Sequence, residues 1–391
     1  MSSISPNSLL FNLHDMALFY AVGQYLLFAL LLIFTRRAGD KSSYFLIAIL
    51  LCNSLQSLDT FIIWSDQIRS LVLTWEPNLF FLGGLCFWLQ GPLLYWYVSS
   101  VLYKDFKLAR WQLIHILPIL IAFVVLISNY YSLTGADQVD LMNNQGFMWT
   151  GTMEVMVTLR YVSVIVYSIW CLITIVQYRK QLREHFANIG ANDRHWLLWV
   201  VIGMALISSW SLIVHMIGNS VSSELSNFMG VSGNYFTFIF VNSLVFISIR
   251  YTHLFDGITG NLNYDDKNKN DDKVAKPEHI TRIQNYMEQE KPYLDSRINI
   301  EALAKQVSLP SRTLSRILNS HFGKNFFEFI NTYRIAEVKL LLDDKSDEAK
   351  SVLNIMYDTG FSSKSSFNAI FKQYVGMTPS QYRKHRRETV S

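Results

Sequence analysis

Apolar stretches long enough to cross a bilayer recur seven times before residue 254, near 16–34, 43–64, 78–102, 112–132, 153–178, 195–217 and 228–251. A hydrocarbon core of about 30 Å takes roughly 20 helical residues, so this repetition predicts seven transmembrane helices. Charge follows the same division. Residues 1–254 hold 13 Lys/Arg and 12 Asp/Glu, while the much shorter stretch 255–391 holds 21 and 18. The whole chain is only 16% charged, against about 25% for an average soluble domain, which excludes an ordinary soluble enzyme. The first part is composed for lipid and the second for water.

An odd number of spans puts the two ends of this half on opposite sides, and Lys/Arg in short loops stay cytoplasmic. Arg36, Arg37 and Lys41 follow the first span, Lys104, Lys107 and Arg110 the third, and Arg179, Lys180, Arg183 and Arg194 the fifth. The opposite side has Arg69 alone. The expected topology is therefore an external N-terminus, with everything after Tyr251 in the cytoplasm of a cell bounded by its inner, cytoplasmic membrane. The first 15 residues lack the basic region of a cleavable signal peptide, so the first span is expected to persist in the mature protein.

Polar groups within spans are costly and tend to face a bundle interior or a cavity. Asp59, Glu154, Arg160 and His215 all fall toward the outer ends of their spans under this topology. Asp59, Arg160 and His215 are the ionisable trio expected to meet as a signal site. The structural alternative is an Arg160 that snorkels to the headgroups, or pairs with Asp59, simply to hold helices together. Gln24, Asn53, Gln56, Gln90, His115 and Asn242 read as interhelical hydrogen-bonding groups. Cys52, Cys86 and Cys171 sit in apolar runs and read as packing residues, with no disulfide framework, metal site or cofactor implied. Gly230-Val231-Ser232-Gly233 with His215 has the residue types of an intramembrane serine protease but the wrong order, and small residues at helix contacts account for it. No catalytic motif is present, and no enzyme is expected.

Residues 255–275 are rich in Gly, Asn, Asp and Lys and read as a flexible tether. Residues 276–391 carry a net surplus of five positive charges, which suits a polyanion. Asn299 can cap a helix bearing Ile300, Leu303, Ala304 and Val307. Ser308-Leu309-Pro310 then breaks the chain before a helix with Leu314, Ile317 and Leu318 inside and Arg312, Thr313, Ser315, Arg316 and Asn319 outside. This is a helix-turn-helix arrangement, and it happens twice. Val352, Leu353, Ile355 and Met356 form a second short helix, and Thr359-Gly360 supplies its turn. Ser363 caps a helix with Phe367, Ile370 and Phe371 inside and Lys364, Ser365, Ser366, Asn368 and Lys372 outside. Between the two, a helix near 326–343 is expected to keep Phe326, Phe329, Ile330, Tyr333, Ala336 and Leu340 on one side.

The strings Leu303-Ala304, Leu314-Ser315-Arg316, Tyr333-Arg334-Ile335-Ala336, Gly360 through Asn368, Phe371-Lys372 and Gly376 through Arg383 resemble the AraC/XylS family of transcription regulators over about 105 residues. The resemblance implies an all-α, seven-helix DNA-binding domain with two recognition helices in successive major grooves. It places Arg312, Thr313, Ser315 and Arg316 at bases from the first unit and Ser365 and Ser366 from the second, where Ala369 departs from the polar residue frequent in the family. Independently, Arg suits guanine O6 and N7, while Lys and polar groups suit phosphates. Lys364, Asn368, Lys372, Arg383 and Lys384 are the expected phosphate contacts.

The expected chain is all-α: a seven-span sensor or anchor over 1–254, a linker over 255–275, and a double helix-turn-helix domain over 276–391. Its expected partners are double-stranded DNA, the lipid bilayer, a small-molecule or envelope signal, and a second copy of the chain as a homodimer. The rival reading is a transporter or receptor whose cytoplasmic domain makes protein contacts.

Overall fold

The computed structural model describes residues 13–35, 41–103, 106–143, 150–188, 195–218, 221–250, 276–344 and 350–390. The tether at 255–275 and loop residues Arg36, Arg37, Lys104 and Arg194 lie outside these. Helix dominates throughout, and among the described residues there is no strand, only one isolated bridge between Phe186 and Asn299. The chain forms two units, the first from 1–175 and 195–259, the second from 176–194 and 260–391.

The first unit holds α1 (Leu13–Thr35), α2 (Lys41–Trp64), α3 (Asp66–Trp75), α4 (Leu82–Leu85), α5 (Phe87–Leu102), α6 (Leu117–Leu126), α7 (Gly135–Asn143), most of α8 (Gly151–His185), α9 (His195–Ile217) and α10 (Ser223–Arg250). Six segments among the described residues are long and apolar enough to cross a membrane. The seventh expected span falls on α10, which is helical throughout but is not one of those six. Large apolar side chains such as Phe19, Leu27, Val124, Trp199 and Leu206 point outward and are more than half exposed, as a surface facing lipid would require. Polar side chains join the helices from within: Gln24 pairs with Asn242, Gln90 donates to Asn53 at 2.9 Å, and His115 pairs with Tyr167.

The third expected span is not continuous. Phe81 takes a left-handed backbone (φ 67°), and the helix restarts as α4 and then α5. The cause is Asp59. Its carboxylate faces the backbone amides of Phe81, Gly83 and Gly84. A Cβ at Gly83 would lie 2.1 Å from the Leu55 carbonyl oxygen, and one at Gly84 would lie 2.9 Å from Asp59 Oδ2. Two glycines are therefore what lets the turn close over α2.

The second unit contains α11 (Pro277–Gln289), α12 (Ile300–Gln306), α13 (Ser311–Ser320), α14 (Phe326–Asp343), α15 (Val352–Asp358), α16 (Lys364–Val375) and α17 (Pro379–Val390). The last residues of α8 and the segment that follows it also belong here. Two apolar clusters form its interior. One gathers Ile283, Met287, Leu303, Leu314, Ile317, Leu318, Phe326 and Phe329. The other gathers Val338, Ile355, Met356, Phe361, Phe367 and Phe371.

Helix α14 serves both clusters, and here the expected single stripe fails. Phe326, Phe329 and Ile330 are buried as expected, but Leu340 is 65% exposed and Ala336 is also exposed. Ile335, Val338 and Leu342 are buried in their place. The buried face turns partway along the helix because its two ends face two different cores. Leu353 likewise lies on the exposed side of α15.

Candidate nucleic-acid interface

Each helix-turn-helix is built by short-range rules. Asn299 Oδ1 accepts from Ala302 N at 2.8 Å and starts α12, and Ser308 takes the left-handed turn (φ 53°) before α13. In the second helix-turn-helix Ser363 Oγ accepts from Ser366 N at 3.2 Å and starts α16. The turn at Gly360 (φ 82°) does what only glycine can do at that point: a Cβ would lie 2.6 Å from the Tyr293 carbonyl oxygen.

With Leu314, Ile317 and Leu318 fully buried, α13 presents the opposite face outward. Arg312, Arg316 and Asn319 are exposed there, and Thr313 and Ser315 are half-buried between them. On α16, Lys364, Ser365, Ala369 and Lys372 are exposed, and Ser366 and Asn368 are half-buried. The expected base contacts on α13, and the expected base and phosphate contacts on α16, are thus all exposed or half-buried. On α17 Lys384 is exposed and 3.8 Å from Glu388, and Arg383 is half-buried. The basic cluster on α17 is partly committed elsewhere, because Arg386 forms a two-pronged ion pair with Asp343.

Sequence reasoning missed Arg334 as anything but part of a string. It is fully buried on α14, donating from Nε to Tyr293 O at 2.7 Å, from Nη2 to Asp295 O at 2.9 Å and from Nη1 to Asn188 Oδ1 at 3.1 Å. Burial lowers its pKa to about 10, so it remains cationic at neutral pH and requires those acceptors.

In the first unit Asp59, Arg160 and His215 all line one cavity of about 1010 Å³ together with Gln56, Gln90 and Trp210. The Arg160 guanidinium carbon lies 4.6 Å from the Phe87 ring centre, and His215 Nε2 is 3.2 Å from the Glu154 carbonyl oxygen. Asp59 Oδ1 and Arg160 Nε are buried without a hydrogen-bond partner among the described residues. The Ser232 hydroxyl donates to Met229 O and accepts from the Trp210 indole, so it serves helix contacts. No group of three or more metal-ligating side chains occurs among the described residues.

Residues 303–385 match a family model described as a helix-turn-helix domain. The C-terminal domain is an AraC-type helix-turn-helix domain. The AraC-type domain is similar to the melibiose operon regulatory protein of Escherichia coli (strain K12), 37% identical over 98 residues, which are 24% of this chain and 32% of that protein. It is also similar to the HTH-type transcriptional activator RhaS of Mannheimia succiniciproducens, 34% identical over 89 residues, 23% of this chain and 32% of that protein. The solved C-terminal domain of the two-component response regulator yesN from Fusobacterium nucleatum is 30% identical, covering 27% of this chain and 98% of that domain, with a TM-score of 0.24. The chain spans about a third of the length of the curated relatives it matches. Those relatives are by name an operon regulatory protein and a transcriptional activator.

Proposed function

We propose that the chain is a membrane-anchored, sequence-specific transcription regulator. In this reading the first unit spans the cytoplasmic membrane with the N-terminus outside, and the AraC-type domain stands in the cytoplasm. Arg312, Thr313, Ser315, Arg316, Ser365 and Ser366 read bases, and Lys364, Asn368, Lys372, Arg383 and Lys384 hold phosphates. Asp59, Arg160 and His215 receive an envelope or external signal, and a second copy of the chain completes the assembly on DNA. The observation that carries the reading is the pair of outward polar faces on α13 and α16, in a chain that also has six long apolar segments among its described residues.

The test has two arms. Reporter fusions after residue 140 should report the outside, and fusions after 187 or 260 the cytoplasm. Full-length protein in phospholipid vesicles should bind a few genomic duplexes selectively, with affinity falling steeply with salt. Residue 260 outside, or equal affinity for all duplexes, would overturn the reading.

A further inference from the structure

Helix α8 runs for 35 residues, Gly151–His185. At 1.5 Å per residue this is about 50 Å, well beyond the roughly 30 Å of a hydrocarbon core. The excess is the polar stretch Gln177 to His185, and its end is built into the DNA-binding unit. Glu184 Oε2 accepts from Asn319 Nδ2 at 3.2 Å on the outward face of α13. Arg183 lies 6.0 Å over the ring of Phe327 on α14. Phe186 pairs with Asn299, the residue that caps α12. Ala187 is fully buried within the first apolar cluster, and its carbonyl accepts from Asn331 at 3.4 Å.

Asn188 does the most. Its Nδ2 donates to Ser296 O at 2.6 Å, just before the first helix-turn-helix, and to Gly360 O at 3.0 Å, the turn of the second. Its Oδ1 accepts from Arg334 on the connecting helix. One amide side chain thus joins the segment that leads into the first reading head, the turn of the second and the buried arginine between them, with both of its polar atoms engaged.

We infer that residues 183–188 are a positioning strap: the cytoplasmic end of α8 holds the two recognition helices in one fixed relation, and movement of that helix is what alters their joint fit to DNA. Asn188 acts through Arg334 and Gly360 and does not itself meet DNA. The inference rests on the regulator reading above for its purpose, but the strap itself is a claim about the chain. Two linked heads bind a two-groove site far better than either head alone only while the linkage fits the spacing, so loosening the strap should cost double engagement and spare single engagement.

The test uses full-length protein in phospholipid vesicles and a duplex selected by the parent protein from a random pool, beside the same duplex with one half scrambled. Asn188→Ala should weaken the intact duplex about tenfold, as expected from groups left without partners, and change the scrambled one by less than about twofold. Equal losses on both duplexes, or no loss on the intact one, overturn the inference. A second measurement does not depend on DNA. With Cys52, Cys86 and Cys171 replaced by Ser, the pair Glu184→Cys and Asn319→Cys should be joined within one chain by a short bis-maleimide. If both cysteines take a monofunctional maleimide yet no internal link forms, the strap does not exist. If the parent selects no duplex, the regulator reading fails, and the cross-link still decides the strap.

Discussion

Arg386 and Asp343 meet through two parallel hydrogen bonds, Nε to Oδ1 at 2.8 Å and Nη2 to Oδ2 at 3.0 Å, and so clip α17 to the end of α14. The Tyr382 hydroxyl adds a third donor to Oδ2 at 3.3 Å. The Arg386 hydrogen bonds hold the Asp343 carboxyl below its ordinary value.

A carboxylate whose folded pKa is depressed contributes stability that is present above its unfolded pKa, about 3.9, and lost as pH falls through the folded value. Arg386→Gln should therefore speed amide exchange in α17 of the full chain at pH 7, and parent and variant should converge as the medium is acidified through the lowered Asp343 pKa. The effect should shrink in high salt, because the pair is partly exposed. A difference that persists undiminished in acid would mean that Arg386 acts through packing.

Base reading and phosphate holding separate by their sequence dependence. Arg316→Ala should cost about 1–3 kcal/mol on the selected duplex and relax preference at one base pair. Lys372→Ala should weaken all duplexes alike and lower the salt slope by about one. Equal losses on selected and random DNA for Arg316→Ala would remove it from the base-reading set.

Gly360 and Gly376 share a left-handed backbone, φ 82° and 86°, but not a neighbourhood. A Cβ at Gly376 meets nothing within 4 Å, whereas one at Gly360 meets two backbone carbonyl oxygens within 2.8 Å. Gly376→Ala should cost only the left-handed strain, about 1–2 kcal/mol. Gly360→Ala should add overpacking of about 1–3 kcal/mol. Urea titration of the full chain, followed by protease resistance of the AraC-type domain, should rank the two in that order. The reverse order would mean that the 293–294 segment yields easily.

What could be read from the sequence was what depends on near neighbours. Asn299 and Ser363 cap their helices because a cap needs only the amide two or three residues on. Leu314, Ile317 and Leu318 fall inside because one helix faces one core. Helix α14 broke that rule because its two halves face two cores, and a periodicity argument assumes one. Arg334 was illegible for another reason: its acceptors come from residues 188, 293 and 295, and nothing local to 334 foretells them. The residues proposed to read bases were legible as an outward polar face, while the strap proposed to join their helices, from the end of α8 more than 100 residues earlier, was not.

Asp59, Arg160 and His215 line the same cavity in the first unit. A signal can shift a regulator only by binding two of its states unequally, and a buried charge left short of partners is a place where such a difference can arise. The backbone amides of Phe81, Gly83 and Gly84 already face the Asp59 carboxylate, so Asp59→Asn turns an amide group toward donors and disturbs the turn as well as the charge. Arg160 has no such backbone role. Its Nε has no hydrogen-bond partner among the described residues, and its guanidinium rests against Phe87 and Tyr161 beside the cavity. Arg160→Gln is therefore the sharper variant. It should leave membrane abundance unchanged and hold target transcription at one level across changes of external pH, osmolarity and envelope stress to which the parent responds. Arg160→Lys, which keeps the charge, should retain part of that response. If Arg160→Gln responds as the parent does, the trio only joins helices. If it is lost from the membrane instead, the arginine is a folding element and not the place where a signal enters.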